Sequence, residues 1–250
     1  MHITTDGIVL RERAIEDEDS ILTLLTKDRG VISAYARGAR KLRGNLRVSS
    51  ELLSYSCFVL FSNKEKYSVD KADLNNVFMK VRGDILKLSL ASYLCQLTGE
   101  VAPREENAQE YLRLLLNSLY FLDSDKRTCE FIKPLYELRI MTMAGYMPNL
   151  VACCECASFE KAEMYFLPLT SQLICGDCVK NLPENQIKYL LNPGVLAAMR
   201  HIIYAGDEKL FNFTLSSPLL KQLNQISQEY IKCHLEKKFD TLDFYLTMSD

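Results

Sequence analysis

Short segments rich in β-forming residues recur over the first 80 residues of the chain, and TDGIVLRER (5–13) among them alternates apolar and polar positions with a period of two. This period is typical of β-strands, and Gly30, at the end of the polar loop KDRG, suits a left-handed turn position. About five short strands without a long helix between them predict a small closed β-barrel rather than a βαβ unit. The segments that carry the pattern are TDGIVLRER (5–13), SILTLLT (20–26), VISAYAR (31–37), ELLSYSCFVLF (51–61) and YSVDKADLNNVF (67–78).

After about residue 82 the apolar positions recur with the period of a helix. NAQEYLRLLLNSLYFL opens with Asn107 and Glu110, which are spaced as a capping box. Two later segments begin with a polar residue followed by proline, which is typical of a first helical turn. The chain is therefore predicted to be an α+β protein, with a β-barrel over 1–80 and an α-helical domain over 81–250. The helical segments begin at DILKLSLASYL (84), NAQEYLRLLL (107), FIKPLYELRI (131), NPGVLAAMRH (192) and SPLLKQLNQI (217).

Cysteines interrupt the helical part between about 150 and 180, where five of the nine cysteines fall. Cys153 and Cys156 form one CxxC pair, Cys175 and Cys178 form another, and 18 residues separate the pairs. Two CxxC turns aim four sulfurs at one point, and EMYFLPLTSQLI between them can form a hairpin that brings the turns together. The spacing predicts a small four-cysteine module with a structural Zn²⁺, since four thiolates leave no open coordination position.

The other cysteines, at 57, 95, 129 and 233, are interpreted as small apolar residues of the core. Cys154 is a fifth cysteine that could compete for the metal. Thiol redox chemistry is disfavoured because neither CxxC lies in a βαβ context. A zinc enzyme, with water in place of one thiolate, stays open as an alternative.

A basic segment lies between two predicted strands. From Arg29 to Ser50 the chain holds six basic residues and no acidic one, although its net charge is −2. On a barrel this segment is expected to be a flexible cationic loop that follows a phosphate backbone, with Tyr35 and Tyr55 as possible stacking surfaces. A solvated surface loop is the alternative. An acidic run lies just upstream, made of Glu16, Asp17, Glu18 and Asp19.

The composition and the motifs argue against several classes of protein for this chain. No apolar run reaches the roughly 18 residues of a membrane helix, and the N-terminal segment lacks the pattern of a secretory signal. The chain is therefore expected to be cytoplasmic. It contains no phosphate-binding GxxxxGK[ST], no GxGxxG and no HExxH. His201 and His234 fall in predicted helices, and no acid, base and nucleophile set indicates an enzyme.

The ordered set of segments resembles the bacterial RecO family of recombinational repair proteins. The resemblance rests on GIVLRER, on the acidic run before SILTLLTKDRG, on YARGAR, on AGYMPNLVACCEC followed by LICGDC, and on YIKCHLEKKF near the end. It implies an N-terminal OB-fold and a helical domain that carries a zinc module. It also implies zinc ligation by Cys153, Cys156, Cys175 and Cys178, and a DNA-binding loop of Arg37, Arg40, Lys41, Arg43 and Arg47.

In function, the resemblance implies a non-catalytic recombination mediator that binds single- and double-stranded DNA and anneals complementary strands. With RecR, such proteins help to load RecA onto DNA coated by single-strand binding protein (SSB), whose acidic C-terminal tail they bind. The alternatives left open are an OB-fold and zinc nucleic-acid-binding factor of transcription or translation, and a purely structural interaction protein.

Overall fold

A computed structural model describes residues 1–15, 17–42, 44–63 and 66–249 of the chain. They form two compact units. One unit consists of Met1–Cys129 with Phe239–Asp250, and the other is Glu130–Lys238. Within the described ranges, no helix has the length and apolar character that crossing a membrane requires.

Five strands form a closed barrel at the start of the first unit. They are β1 His2–Ala14, β2 Ser20–Thr26, β3 Gly30–Ala36, β4 Tyr55–Asn63 and β5 Lys66–Asn76. Their order is β1-β2-β3-β5-β4, and pairing of β1 with β4 completes the circle. Neighbouring strands are antiparallel except for β3 and β5, which are parallel. The predicted barrel is confirmed, and its strand number and closure fit the OB-fold.

Alternating side chains of these strands fill the barrel. Leu22 and Leu24 of β2 and Phe58 and Leu60 of β4 are all fully buried. Within each strand the two residues are two positions apart, so the pleat turns both side chains to the same face. Full burial of such a side chain stabilises a fold by about 1.5–3 kcal/mol. The period of two seen in the sequence therefore reflects one face of each strand turned toward a common core.

Four helices complete the described part of the first unit: α1 Met79–Gly83, α2 Ile85–Val101, α3 Gln109–Asp123 and, near the end of the chain, α7 Asp240–Ser249. Asp84 caps α2 by accepting hydrogen bonds from the amides of Leu86 and Lys87 at 2.9 and 3.1 Å. The capping box predicted at Asn107 and Glu110 is wrong, because Ala108 is the N-cap of α3. The Asn107 side chain does contact the first turn, where it accepts from the Gln109 amide at 3.2 Å. The Ala108 amide instead donates to the Lys27 carbonyl at 2.9 Å, which ties the segment before α3 to the barrel.

The second unit combines three helices with a four-stranded sheet. The elements are α4 Cys129–Met143, β6 Asn149–Cys153, β7 Met164–Leu167, β8 Gln172–Cys175, β9 Tyr189–Leu191, α5 Pro193–Tyr204 and α6 Ser217–Leu235. The strand order in the sheet is β6-β8-β7-β9. Asn192 caps α5 as predicted, since its side chain accepts from the Gly194 amide at 2.9 Å and Pro193 opens the helix. The N-cap of α6 is Ser216, one residue before the predicted start, and its side chain makes no capping bond.

Candidate nucleic-acid interface and metal site

The basic loop, defined here as residues 37–47, connects β3 to a short 3₁₀ turn, Val48–Ser50, that precedes β4. Its described cations are all exposed to solvent. One predicted DNA-binding residue, Arg43, lies outside the described residues. The exposed cations are Arg37, Arg40, Lys41 and Arg47.

Main-chain hydrogen bonds shape this loop, whereas the sequence pattern suggests a freely flexible one. The Lys41 amide donates to the Gly38 carbonyl at 3.1 Å, and the Gly44 amide donates to the Lys41 carbonyl at 2.9 Å. Gly38 adopts a positive φ of 66°, which glycine tolerates without the strain a Cβ would add. Ala39 is buried against the barrel core, and Leu46 packs on the same core. Buried apolar residues therefore anchor the loop while its cations face outward.

The acidic turn, defined here as Asp17–Asp19 between β1 and β2, lies against the basic loop. Asp19 accepts a hydrogen bond from the Gly38 amide at 2.7 Å and another from the Tyr35 hydroxyl. The Glu18 carbonyl accepts from the Arg40 amide at 2.9 Å, and the Glu18 carboxylate lies 3.1 Å from the Lys41 ammonium. Acidic residues therefore contact the basic segment in space, although the segment itself contains none. The acids lie on a neighbouring turn rather than within the segment.

The pairing of β2 with β3 explains this contact. Ser20 of β2 lies opposite Ala36 of β3, so Asp19 and Arg37 leave the hairpin at the same end. The sequence holds a signal for this arrangement in its short polar connection: Thr26 pairs with Gly30 across residues 27–29, so residues equally spaced from these two lie opposite each other. Identical spacing from the turn places the acidic run beside the first cations of the loop.

The remaining cations of the loop are available to solvent anions. In the parts of the chain that the structure describes, Arg37, Arg40 and Arg47 form no ion pair. The Gly38 amide and the Tyr35 hydroxyl, with Arg37 and Lys41 nearby, lower the pKa of the Asp19 carboxyl. An exposed set of arginines on an OB-type barrel is suited to sequence-independent contact with a phosphate backbone.

The structure brings together the four cysteines that the spacing singled out. The sulfurs of Cys153, Cys156, Cys175 and Cys178 all lie within 4.8 Å of one another. Sulfurs bound at about 2.3 Å to one tetrahedral zinc ion lie about 3.8 Å apart, and the Cys156 and Cys175 sulfurs are separated by 3.8 Å. The donor set and its spacing therefore fit a zinc ion.

Strands and tight turns position these thiols. Cys153 ends β6 and Cys175 ends β8, and the two strands are neighbours in the sheet. The predicted hairpin is present as β7 paired with β8, with Met164 opposite Cys175. Each CxxC then turns back on itself, since the Ala157 amide donates to the Cys153 carbonyl at 3.0 Å and the Cys178 amide donates to the Cys175 carbonyl at 3.1 Å.

Polar groups around the sulfurs alter their proton affinity. The Ser158 hydroxyl and amide lower the pKa of the Cys156 thiol to about 6. The hydrogen bond with Cys175 raises the pKa of Cys178. The two shifts have opposite directions because these sulfurs lie close enough to hydrogen-bond with one another.

The other cysteines lie outside this cluster. Cys154 is exposed and its sulfur is not a member of the group. Cys95 is buried in α2, and burial raises its pKa to about 12, which leaves it a neutral core thiol at ordinary pH. Cys129 is also buried, while Cys57 and Cys233 are partly exposed.

The two helical histidines contact main-chain carbonyls. His201 Nε2 lies 2.9 Å from the Lys209 carbonyl oxygen. His234 Nε2 lies 3.0 Å from the Pro168 carbonyl oxygen and 3.0 Å from the Ser171 hydroxyl. Both are therefore engaged in packing within the second unit.

Comparison with known proteins matches both the N-terminal and the C-terminal part of the chain to the same family. The family model described as "Recombination protein O N terminal" matches residues 1–78, and that described as "Recombination protein O C terminal" matches residues 82–243. The protein "DNA repair protein RecO" of Acetivibrio thermocellus is 34% identical over 247 residues, which cover 99% of this chain and 97% of that protein. The protein of the same description from Caldicellulosiruptor bescii is 30% identical over 243 residues, covering 97% of each chain. That from Alkaliphilus metalliredigens is 29% identical over 244 residues, covering 97% of this chain and 98% of that protein.

Proposed function

This chain belongs to the RecO family of DNA repair proteins, and we propose that it is a non-catalytic recombination mediator that binds single- and double-stranded DNA. The observation that carries the proposal is the exposed basic loop on an OB-type barrel. Its described cations, Arg37, Arg40, Lys41 and Arg47, are exposed to solvent on a loop that is anchored by the buried Ala39 and the partly buried Leu46. Arg43 belongs to the same proposed set. Arginine forms bidentate contacts with phosphate, and such contacts are independent of base sequence.

The proposed role includes annealing of complementary strands. Two DNA strands repel each other, and positive charge between them lowers that repulsion because it neutralises phosphates of both strands. An OB-fold DNA-binding region over residues 1–80 would supply this charge. The helical region over 81–250 would supply contacts with partner proteins: RecR, and the acidic C-terminal tail of SSB. Together with RecR, the protein would help to load RecA onto SSB-coated single-stranded DNA in the cytoplasm.

We further propose that Cys153, Cys156, Cys175 and Cys178 hold one Zn²⁺ whose role is structural. Four thiolate ligands leave no coordination position for water or substrate, so the ion would join β6 to the β7–β8 hairpin rather than take part in a reaction. The metal would fix the sheet of the second unit, which lies within the region 81–250 proposed for partner contacts.

The test of the DNA-binding role is annealing of complementary single strands, naked and SSB-coated, by the intact chain and by two variants. The loop variant carries Arg37→Ala, Arg40→Ala, Lys41→Ala and Arg47→Ala. The matched variant removes the same number of positive charges from exposed lysines of the second unit. Those control substitutions are Lys180→Ala, Lys188→Ala, Lys209→Ala and Lys221→Ala.

We expect the loop variant to lose annealing and single-strand binding, and the matched variant to retain both on naked strands, since SSB-coated strands also test the partner contacts proposed for 81–250. Loss of three or four phosphate contacts would make the logarithmic salt slope shallower by about 2 to 3 units. Equal losses in both variants would contradict a dedicated loop, and tighter binding to structured RNA than to single-stranded DNA would favour a role in transcription or translation. Absence of DNA binding by the intact chain would contradict the mediator role.

A further inference from the structure

Two different kinds of contact join the acidic turn to the basic loop. The first is a set of hydrogen bonds to main chain and hydroxyl: Asp19 accepts from the Gly38 amide and the Tyr35 hydroxyl, and the Glu18 carbonyl accepts from the Arg40 amide. The second, among the residues that the structure describes, is one ion pair, between the Glu18 carboxylate and the Lys41 ammonium at 3.1 Å. Only in the second contact is the donor a charged side chain, that of Lys41. A DNA phosphate could bind this ammonium in place of the Glu18 carboxylate.

The Glu18 carboxylate occupies the position that a phosphate would take beside Lys41. Both are anionic oxygens that accept hydrogen bonds from an ammonium at similar distances. Both partners of the ion pair are more than half exposed, so the pair is weak enough for a solvent anion to replace it. Among the described loop cations, Lys41 is the member already paired with a carboxylate, while Arg37, Arg40 and Arg47 form no ion pair within the described part of the chain.

Asp19, unlike Glu18, hydrogen-bonds through its carboxylate to uncharged groups of the adjacent segment. Its carboxylate bridges the Gly38 amide at 2.7 Å and the Tyr35 hydroxyl, so it connects the end of β3 to the first turn of the loop. Gly38 adopts a left-handed conformation there. The carboxylate thus orients the chain from which Arg37 and Arg40 project.

We propose that the acidic turn regulates DNA binding at the basic loop, with the Glu18 carboxylate acting as an internal competitor for Lys41 and Asp19 acting as a positioning residue. This inference rests on the proposed function. A phosphate that enters the loop displaces Glu18 from Lys41, while the hydrogen bonds of Asp19 stay in place. The turn therefore weakens non-specific binding and keeps the loop in a conformation that receives a strand.

The proposal predicts opposite effects for two neighbouring acids. Glu18→Gln should raise the affinity for single-stranded DNA about two- to five-fold at low ionic strength, in keeping with the strength of exposed ion pairs. The gain should shrink as salt rises, since the Debye length falls to about 10 Å at 0.1 M. Asp19→Ala removes a negative charge too, but it should lower the affinity because the loop loses its support. Charge alone would predict a gain for both.

Two controls separate local competition from a general change of charge. Asp17→Asn removes one negative charge from the same turn at an exposed residue for which no ion pair is found among the described residues. Its effect on affinity should be smaller than that of Glu18→Gln. In a Lys41→Ala background the gain from Glu18→Gln should disappear, because the double-mutant cycle removes the cation for which Glu18 competes.

The experiment is equilibrium binding of a fluorescent single-stranded oligonucleotide by these variants over a range of salt concentrations. Equal gains for Glu18→Gln and Asp17→Asn, or a gain that persists without Lys41, would overturn the competition. A gain for Asp19→Ala would overturn its positioning role. If the intact chain binds DNA through its loop and Glu18→Gln has no effect, only this inference fails. If the intact chain binds no DNA, the proposed function fails and the inference fails with it.

Discussion

Lys133 and Glu137 are a pair of charged side chains buried almost completely in the second unit. They lie one turn apart on α4, with the Lys133 ammonium 3.0 Å from the Glu137 carboxylate. Ser227 of α6 donates to the same carboxylate at 2.6 Å. A buried charge is stable only when it is paired and hydrogen-bonded, so this local arrangement makes the contact between α4 and α6 specific.

Removal of the charge at Glu137 alone should therefore destabilise the protein strongly. We expect Glu137→Gln to lower the free energy of unfolding by about 3–5 kcal/mol, because the Lys133 ammonium stays buried without a counter-charge. Chemical denaturation monitored by far-UV circular dichroism measures the change.

The companion variant combines Glu137→Gln with Lys133→Met, which replaces the cation with an apolar chain of similar length. It should recover most of the lost stability, since the uncompensated charge is gone. Ser227 keeps a partner in that variant, because its hydroxyl also donates to the Asn224 carbonyl at 3.2 Å. A double variant that is less stable than Glu137→Gln would show that the pair is not the reason for the loss.

The turn between β2 and β3 is the element that ties the barrel to the connection between α2 and α3. Gly30 ends this turn with a positive φ of 59°, and the next amide, that of Val31, donates to the Pro103 carbonyl at 2.8 Å. The Glu105 amide donates to the Arg29 carbonyl at 2.9 Å. The main chain of the β2–β3 turn and that of the α2–α3 connection therefore pack closely together at Gly30.

A side chain at this position should not fit. A Cβ at Gly30 would lie 2.1 Å from the Pro103 carbonyl oxygen. We expect Gly30→Ala to lower the free energy of unfolding by more than about 2 kcal/mol, since the left-handed conformation alone costs roughly 1–2 kcal/mol for an L residue. Thermal unfolding would show a fall in Tm of about 4 °C or more for a chain of this size.

Gly83 provides the matched control, because it ends α1 and a Cβ there would meet no atom within 4 Å. Gly83→Ala should leave the Tm unchanged or raise it slightly, since alanine restricts the unfolded chain. A fall in Tm as large for Gly83→Ala as for Gly30→Ala would show that the close approach of Pro103 is not the cause.

Over the whole molecule, the two proposed sites belong to different compact units. The basic loop lies in the unit that contains the barrel, and the cysteine cluster lies in Glu130–Lys238. Each site is formed by residues of its own unit. A structural metal in one unit is therefore expected to support protein contacts rather than the phosphate contacts of the loop.

Substitution of one thiolate ligand should separate these roles. We expect Cys156→Ser to reduce bound zinc to well below one ion per chain, because one ligand of the tetrahedron is lost. Affinity for single-stranded DNA should stay at the level of the intact chain. Metal analysis after gel filtration and oligonucleotide binding on the same sample measure both quantities.

Cys154→Ser is the control, since Cys154 is exposed, lies two residues away and is not in the cluster. It should retain the full zinc content. Loss of zinc from Cys154→Ser, or its retention by Cys156→Ser, would contradict the assigned ligand set. A fall in DNA affinity that follows zinc loss would show that the metal also supports the DNA-binding surface.

The sequence by itself determined the features that depend on local spacing. The β-forming segments in 1–80, with a period of two in 5–13, predict the barrel strands, because every second side chain must face the core. The CxxC spacing predicts the cluster of Cys153, Cys156, Cys175 and Cys178, because two residues between ligands form a turn that points both sulfurs one way. The left-handed conformation of Gly30 follows from its place at the end of a short loop between strands.

Tertiary structure decided what depends on residues that are distant in the chain. The sequence places Glu18 and Lys41 in separate segments, and only the pairing of β2 with β3 brings them within 3.1 Å. Lys133 and Glu137 are spaced as a solvated pair on a helix surface, and only the tertiary packing of the second unit buries them. The start of α3 moves to Gln109 because the Ala108 amide bonds to Lys27 of the barrel. The spacing of residues along the chain therefore predicts strands, turns and the ligand cluster. Burial and charge pairing arise only when segments that are distant in the chain pack together and exclude water.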